Sequence, residues 1–231
     1  MPLSPPSDDE TPRPPSCQRP QALIHPPPPG IGREITRQLL LRPTTTVVAT
    51  VRNPADPTAA SLPALPTGPD STLVLVQLAE PADYAALAPT LAARGITTID
   101  VAVANAGAAT GFHTVLTTTP DDAAADMAVN AAAPLRLFQT VWPLLRPASG
   151  GGGKMVFMSS SLGSIAGLDE ESLTGVGYGM GKAALNFLAK KIAVDLKGEG
   201  VVVGILHPGY VVTPATKLIF RGSGGTWMVV C

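Results

Sequence analysis

Asp100-Val101-Ala102-Val103-Ala104-Asn105-Ala106-Gly107 joins a short apolar run to an abrupt stop in small and polar residues. The run, taken as residues 99–104, is too short for a helix and has no polar alternation, so it reads as a strand buried on both faces. Runs of the same kind recur at residues 22–24, 46–51, 73–78, 154–158 and 201–206. Helical periodicity fills the intervals at 31–41, 82–94, 120–145 and from Tyr178 to about 197. Strands of this type alternating with helices predict a doubly wound α/β fold, a parallel sheet covered on both faces. Breakers cluster at 53–70, rich in Pro and Ala, and at 147–153, which ends in four glycines after Ser149. Neither segment carries residues suited to chemistry.

A chain of 231 residues with 45% hydrophobic content supports one core and favours a single domain. The formal charge of −1, with acids and bases interspersed, gives no basic stripe for nucleic acid and no polybasic patch for a membrane. Small-molecule chemistry is the expectation that remains. Cys17 and Cys231, one in each terminal region, provide no disulfide framework and suit a reducing, cytoplasmic compartment. Residues 1–20, rich in Pro, Ser and acids, show neither a secretory signal nor a spanning segment and are expected to form a disordered arm.

In a sheet of this kind ligands bind beyond the carboxyl ends of the strands, so the residues after each run carry the chemistry. Asn105-Ala106-Gly107 would let a flat ligand approach the backbone; an ordinary turn fits equally. Ser159-Ser160-Ser161-Leu162-Gly163 offers hydroxyls for a carbonyl oxygen, or a polar loop with capping potential. Asn130 is a poor helix former in an apolar stretch, which points to a buried task for its amide or to a kink assisted by Pro134. His207-Pro208-Gly209-Tyr210-Val211-Val212-Thr213 combines a rigid turn with a hydroxyl able to hold a carboxamide. Tyr178 and Lys182, four residues apart, share one helix face. An ammonium beside a phenol makes a general acid or base; a packed ring with a lysine reaching solvent is the structural alternative. His25, His113 and His207 lack metal-ligand spacing and no Gly-x-Ser-x-Gly elbow occurs, so a metal site or a serine hydrolase is not expected.

Taken together, Asn105-Ala106-Gly107, Asn130, Ser160, Tyr178-x-x-x-Lys182 and Pro208-Gly209 through Thr213 resemble the short-chain dehydrogenase/reductase family over residues 21–213. Residues 47–54, 100–107 and 134–139 look most like fungal ketoreductases of the norsolorinic acid ketoreductase type. The resemblance implies a Rossmann fold at residues 21–214 and NADPH-dependent hydride transfer to a ketone. The substrate implied is hydrophobic, an aromatic polyketide of secondary metabolism being the leading case. Tyr178 would donate the proton, Lys182 would keep the phenol acidic and bond the nicotinamide ribose, Ser160 would polarise the carbonyl, and Asn130 would order a water relay. Ser159 and Ser161 stay open as neighbours of Ser160. The implied cofactor contacts are Gly30, Ile31, Gly32, Arg52, Asn105, Gly107, Tyr178, Lys182, Val211 and Thr213. Arg52, with no acid beside it, favours NADP(H) over NAD(H). Related enzymes pair through helices corresponding to 120–145 and 178–197, which implies a homo-oligomer.

The chain also departs from that family. Its members have Thr-Gly-x-x-x-Gly-Ile-Gly where this chain has His25-Pro26-Pro27-Pro28-Pro29-Gly30-Ile31-Gly32. Proline has no amide hydrogen to offer a pyrophosphate, so weakened cofactor binding is expected. Ala79 stands where an acid commonly contacts the adenine, and residues 168–174 lengthen the interval from Ser160 to Tyr178. Pocket walls are expected from residues 108–118, from 162–174 and from beyond Thr213. The tail, residues 215–231, does not resemble the family's last helix and strand, so the fold reads as truncated after its sixth strand, with an exposed sheet edge. These departures support a second reading, a cofactor-impaired binding or regulatory protein of the same fold.

Overall fold

The apolar runs form the sheet. The computed structural model describes residues 21–25, 30–145, 152–170 and 173–211. Expectations placed on the arm, on Pro26 to Pro29, on Thr213 and on the tail lie outside these residues. In chain order the main elements are β1 (Gln21–His25), α1 (Ile31–Leu40), β2 (Thr46–Val51), α2 (Pro57–Ala60), β3 (Thr72–Gln77), α3 (Pro81–Ala92) and β4 (Val101–Ala104). They continue with α4 (Pro120–Met127), α5 (Ala133–Leu145), β5 (Lys154–Met158), α6 (Val176–Asp195) and β6 (Val202–Leu206). The strands lie in the order β3-β2-β1-β4-β5-β6 and every pairing is parallel. The order reverses between β1 and β4, which opens a crevice at their carboxyl ends.

Register explains the unbroken apolar runs. Leu23 lies opposite both Val48 and Ala102, and Ile24 opposite Ala49 and Val103. Leu23, Val48, Ala102, Met155 and Phe157 meet Leu87, Leu91, Leu137, Val141 and Leu185 from α3, α5 and α6. Ile24, Val47, Ala49, Val103 and Met158 pack with Leu40 of α1 and with Ala59, Leu62 and Leu65 after β2. Successive strand residues thus enter opposite cores, and each fully buried leucine contributes about 2 kcal/mol.

The long helix expected at 120–145 is one rod in three parts. Thr119 caps its start by accepting the N–H of Asp122 at 3.1 Å, and Pro120 occupies the first helical position, where a missing N–H is harmless. Between α4 and α5 the backbone widens into a π turn, Ala128–Ala132. Pro134 cannot donate to the carbonyl of Asn130 four residues back, and its ring would crowd that carbonyl in a regular helix. Asn130 is wholly buried in this turn, as the reading of a buried amide expects, and the local irregularity is a widened turn.

Helix α6 lies against α4 and the π turn at unusually short range. A Cβ on Gly177 would sit 2.6 Å from Oδ2 of Asp126 and 3.2 Å from Cα of Ala123; one on Gly181 would sit 2.8 Å from Cβ of Asn130. Glycine at both positions is therefore a packing requirement. Gly181→Ala gains about 1 kcal/mol of helix propensity and loses about 1–3 kcal/mol to overpacking. A net loss is expected in urea melts, larger for Gly181→Val.

Candidate active site

The site is built outward from α6. Lys182, 2% exposed, donates from Nζ to the carbonyl of Met158 at 2.8 Å, at the end of β5. Its Nζ lies 5.4 Å from the centroid of the Tyr178 ring. Gly107, just beyond β4, closes the other side, since a Cβ there would fall 3.2 Å from both Lys182 Nζ and Asn130 Oδ1. The amide of Asn130 is committed to backbone, donating to Ala108 O at 2.6 Å and Asp126 O at 2.8 Å and accepting from Ala108 N at 3.3 Å. Asn130 thereby holds the loop after β4 against the π turn.

The three serines after β5 separate by partner. Ser159 is buried and donates to Oδ1 of Asn186 at 2.6 Å, while Asn186 returns Nδ2 to the carbonyl of Gly163 at 3.0 Å. The backbone N–H of Ser161 donates to Nδ1 of His207 at 3.3 Å. Ser160 caps the following turn, accepting from Leu162 N at 3.3 Å. Of the three, it is the hydroxyl that lowers the Tyr178 phenol's pKa.

Burial acts on the helical pair in opposite senses, because it disfavours whichever form is charged. The Tyr178 phenol is raised above 10, first by burial, against the hydrogen bond from Ser160 and with a further push from the charge of Asp126. Lys182 is lowered to about 8 by burial. The ammonium of Lys182 bonds the carbonyl of Met158 and stands over the Tyr178 ring, within the range at which a positive charge favours a phenolate.

On the cofactor side, Gly30 caps α1 at φ 140° and ψ −135°, a conformation that favours glycine. Gly32 is buried behind it and Ile31 is half-buried. Arg52 is exposed one residue past β2, and Asn105 and Val211 are half-buried past β4 and β6. The backbone N–H of Ala79 is committed to Oδ2 of Asp83 at 2.7 Å. The glycine-lined helix start, the exposed guanidinium and the Gly107 cradle beside Lys182 fit a nicotinamide dinucleotide.

Beside these groups lies an apolar cavity of about 570 Å³, lined by Leu162, Ile165, Leu173, Val176, Met180 and others. Of its lining residues Gly179 directly follows Tyr178, and Leu162 and Gly163 belong to the turn that Ser160 caps. Two of the three walls expected from the sequence line it together with α6, and these two loops are clasped: Thr174 Oγ1 donates to Phe112 O at 2.8 Å and Gly175 N to His113 O at 3.2 Å. Phe112 sets its ring 6.5 Å from that of Tyr178. Phe112, Asn186 and Asp126 escape a sequence reading because no motif singles them out; only folding brings them to the site.

The family profile described as short chain dehydrogenase matches residues 22–223. This chain belongs to the short-chain dehydrogenase family, and its fold and site place it among the oxidoreductases of that family. A short-chain dehydrogenase of Neurospora crassa is 37% identical over 188 residues, covering 80% of this chain and 73% of the relative. A norsolorinic acid ketoreductase of Dothistroma septosporum is 35% identical over 189 residues, covering 80% and 69%. Among solved structures, an NADPH-bound carbonyl reductase from chicken fatty liver aligns with a TM-score of 0.73 at 28% identity, covering 82% of this chain and 79% of that one. These similarities put the chain in the fungal norsolorinic acid ketoreductase-like subgroup.

The depressed Lys182 gives a signed pH effect. Its pKa of about 8 lies below the ordinary 10.5, so between these values the unfolded chain holds a proton that the folded chain has released. Stability therefore rises with pH across that window. From about pH 7.5 to pH 9.5 this contributes about 2 kcal/mol, which urea melts should show in the parent and not in Lys182→Met.

Proposed function

We propose that this chain is an NADPH-dependent ketoreductase whose substrate is a hydrophobic ketone, with an aromatic polyketide as the leading class. The observation that carries the reading is the convergence of Tyr178, Ser160, Lys182 and Asn130 beside a large apolar cavity. Two relatives named as norsolorinic acid ketoreductases and the NADPH-bound carbonyl reductase support it. When bound, the cofactor supplies the hydride. Gly30, Ile31 and Gly32 would hold its phosphates, Arg52 its 2′-phosphate, Asn105 and Gly107 the adjoining sugar and ring, and Val211 with Thr213 the carboxamide.

The chain's own groups manage the proton. Ser160 polarises the ketone oxygen through its hydroxyl and orients Tyr178. Tyr178, held as a neutral phenol by burial, gives its proton to the developing alkoxide, which favours the reductive direction. Lys182 is fixed by the Met158 carbonyl, where it would bond the nicotinamide ribose. Asn130 keeps the loop carrying Gly107 in place and would order the relay that returns a proton to Tyr178. The apolar lining excludes water and selects greasy substrates. A cytoplasmic enzyme of secondary metabolism that pairs with a second copy completes the reading. Among the described residues no helix is long and apolar enough to cross a membrane.

The run Pro26 to Pro29 supports a second reading, a binding or regulatory protein that has lost cofactor affinity, because proline amides cannot cradle phosphate. Fluorescence titration with NADPH separates the two: saturation in the micromolar range favours the enzyme, and none at millimolar favours the alternative. For the enzyme, Tyr178→Phe should lower ketone reduction about 10²–10⁴-fold with NADPH affinity retained. Arg52→Asp should reverse the preference for NADPH over NADH in the same titration.

A further inference from the structure

The turn that carries Ser160 does not hold itself in place. It is one short 3₁₀ turn, Ser161–Gly163, closed by Gly163 N to Ser160 O at 3.0 Å and by Ser164 N to Ser161 O at 2.8 Å. Hydrogen-bond geometry in such a turn is poor, and Ser160 itself has an extended backbone at φ −151° and ψ 154°. The turn packs on α6 without side chains between them. A Cβ on Gly163 would fall 2.7 Å from the carbonyl carbon of Lys182, and one on Gly179 3.1 Å from Leu162 O. A tie from just past β6 adds to this, with His207 Nδ1 accepting the N–H of Ser161 at 3.3 Å.

One side chain of α6 grips this segment at two points. Tyr178, Lys182 and Asn186 succeed one another at four-residue intervals on a single face of the helix, about 6 Å apart along its axis. Lys182 takes the carbonyl of Met158, the last residue of β5. One turn further on, Asn186 accepts from Ser159 Oγ at 2.6 Å and donates from Nδ2 to Gly163 O at 3.0 Å. The orientation of the amide is forced, because a carbonyl can only accept and Nδ2 must therefore face Gly163. The two bonds fall just before Ser160 and just after its turn, so the amide spans the segment in which Ser160 sits. Ser159 and Gly163 have no part in the proton transfer above; their bonds to Asn186 set where the chain runs. We propose that Asn186 is a positioning residue that locks the Ser160 turn to the helix carrying Tyr178, and so fixes the carbonyl-polarising hydroxyl relative to the proton donor. Leu162 and Gly163 also line the cavity, so the same amide sets part of the pocket wall. The proposal rests on the reading of Ser160 as the polarising group and Tyr178 as the acid.

A double-mutant cycle separates this role from simple support of the fold. Asn186→Ala should lower kcat for ketone reduction about 10–100-fold with KM for NADPH unchanged, because a misplaced hydroxyl loses its effect on the transition state. In a Ser160→Ala background the same change should cost less than about two-fold, since the group that it positions is gone. An equal loss in both backgrounds overturns the proposal. Ser159→Ala removes one of the two bonds and should give a smaller loss with the same dependence on Ser160; it takes over the test if Asn186→Ala does not fold. Amide hydrogen exchange reads the placement without cofactor or substrate. Leu162 N–H bonds Ser160 Oγ, so in either variant it should exchange about ten-fold faster, with the N–H groups in the middle of α6 unchanged. An unmoved rate at Leu162 in a variant with native circular dichroism also overturns the proposal. A parent that reduces no ketone removes the reductase reading instead, and exchange at Leu162 then decides the placement alone. Full activity in Ser160→Ala would remove the polarising role of Ser160 and the proposal with it.

Discussion

The close approach of α6 to α4 and its π turn, through the bare faces of Gly177 and Gly181, is the contact on which the site depends. With side chains at those positions the helices would have to move apart by about 1 Å, and the contact that brings Asn130 and Asp126 against α6 would loosen. The widened turn at Ala128–Ala132 completes the fit, because it lets a wholly buried Asn130 bond the loop after β4 while the rod continues into α5. Packing density here is a functional property. It fixes the spacing of the titratable groups to within the tolerance that proton transfer requires.

Burial of that boundary sets the electrostatics. The same low-dielectric surroundings that hold Tyr178 as a phenol also strip Lys182 of part of its preference for the ammonium form. The two groups are four residues apart on one helix face, yet the lysine's nitrogen is directed to the end of β5 and not to the phenolic oxygen. Ser160 is then the hydroxyl that lowers the phenol's pKa, and the carboxylate at Asp126 opposes its ionisation. Around the phenol, the influence of Ser160 thus opposes burial and the Asp126 carboxylate, which both favour the neutral ring.

The hydride end is organised by different physics. Strand order places the crevice between β1 and β4, with Gly30 and Gly32 at the start of α1 and Arg52 past β2. Those features derive from backbone conformation and helix dipole, and from one exposed charge. The proton end, by contrast, is built from side chains buried between helices. A substitution can therefore weaken one end while leaving the other intact.

Much of this was legible in the chain itself. The runs at 46–51 and 154–158 coincide with β2 and β5, and the motifs at Asn105, Ser160 and Tyr178 fall at strand ends or on the expected helix. Local composition is sufficient there, because a strand buried on both faces must be apolar throughout and a helix face repeats every three to four residues. Sequence could not distinguish Ser160 from Ser159 and Ser161, since all three have the same chemistry and only the partners Tyr178, Asn186 and His207 separate them. Nor could it show that Asp126 has an unpartnered oxygen, that Phe112 reaches Tyr178, or that Lys182 bonds Met158, as each depends on contacts between residues far apart in the chain. The sequence by itself determined the sheet, the helices and the family. Tertiary structure alone decided the protonation balance and the cavity, because both arise from what burial removes from water and from which distant groups it brings together.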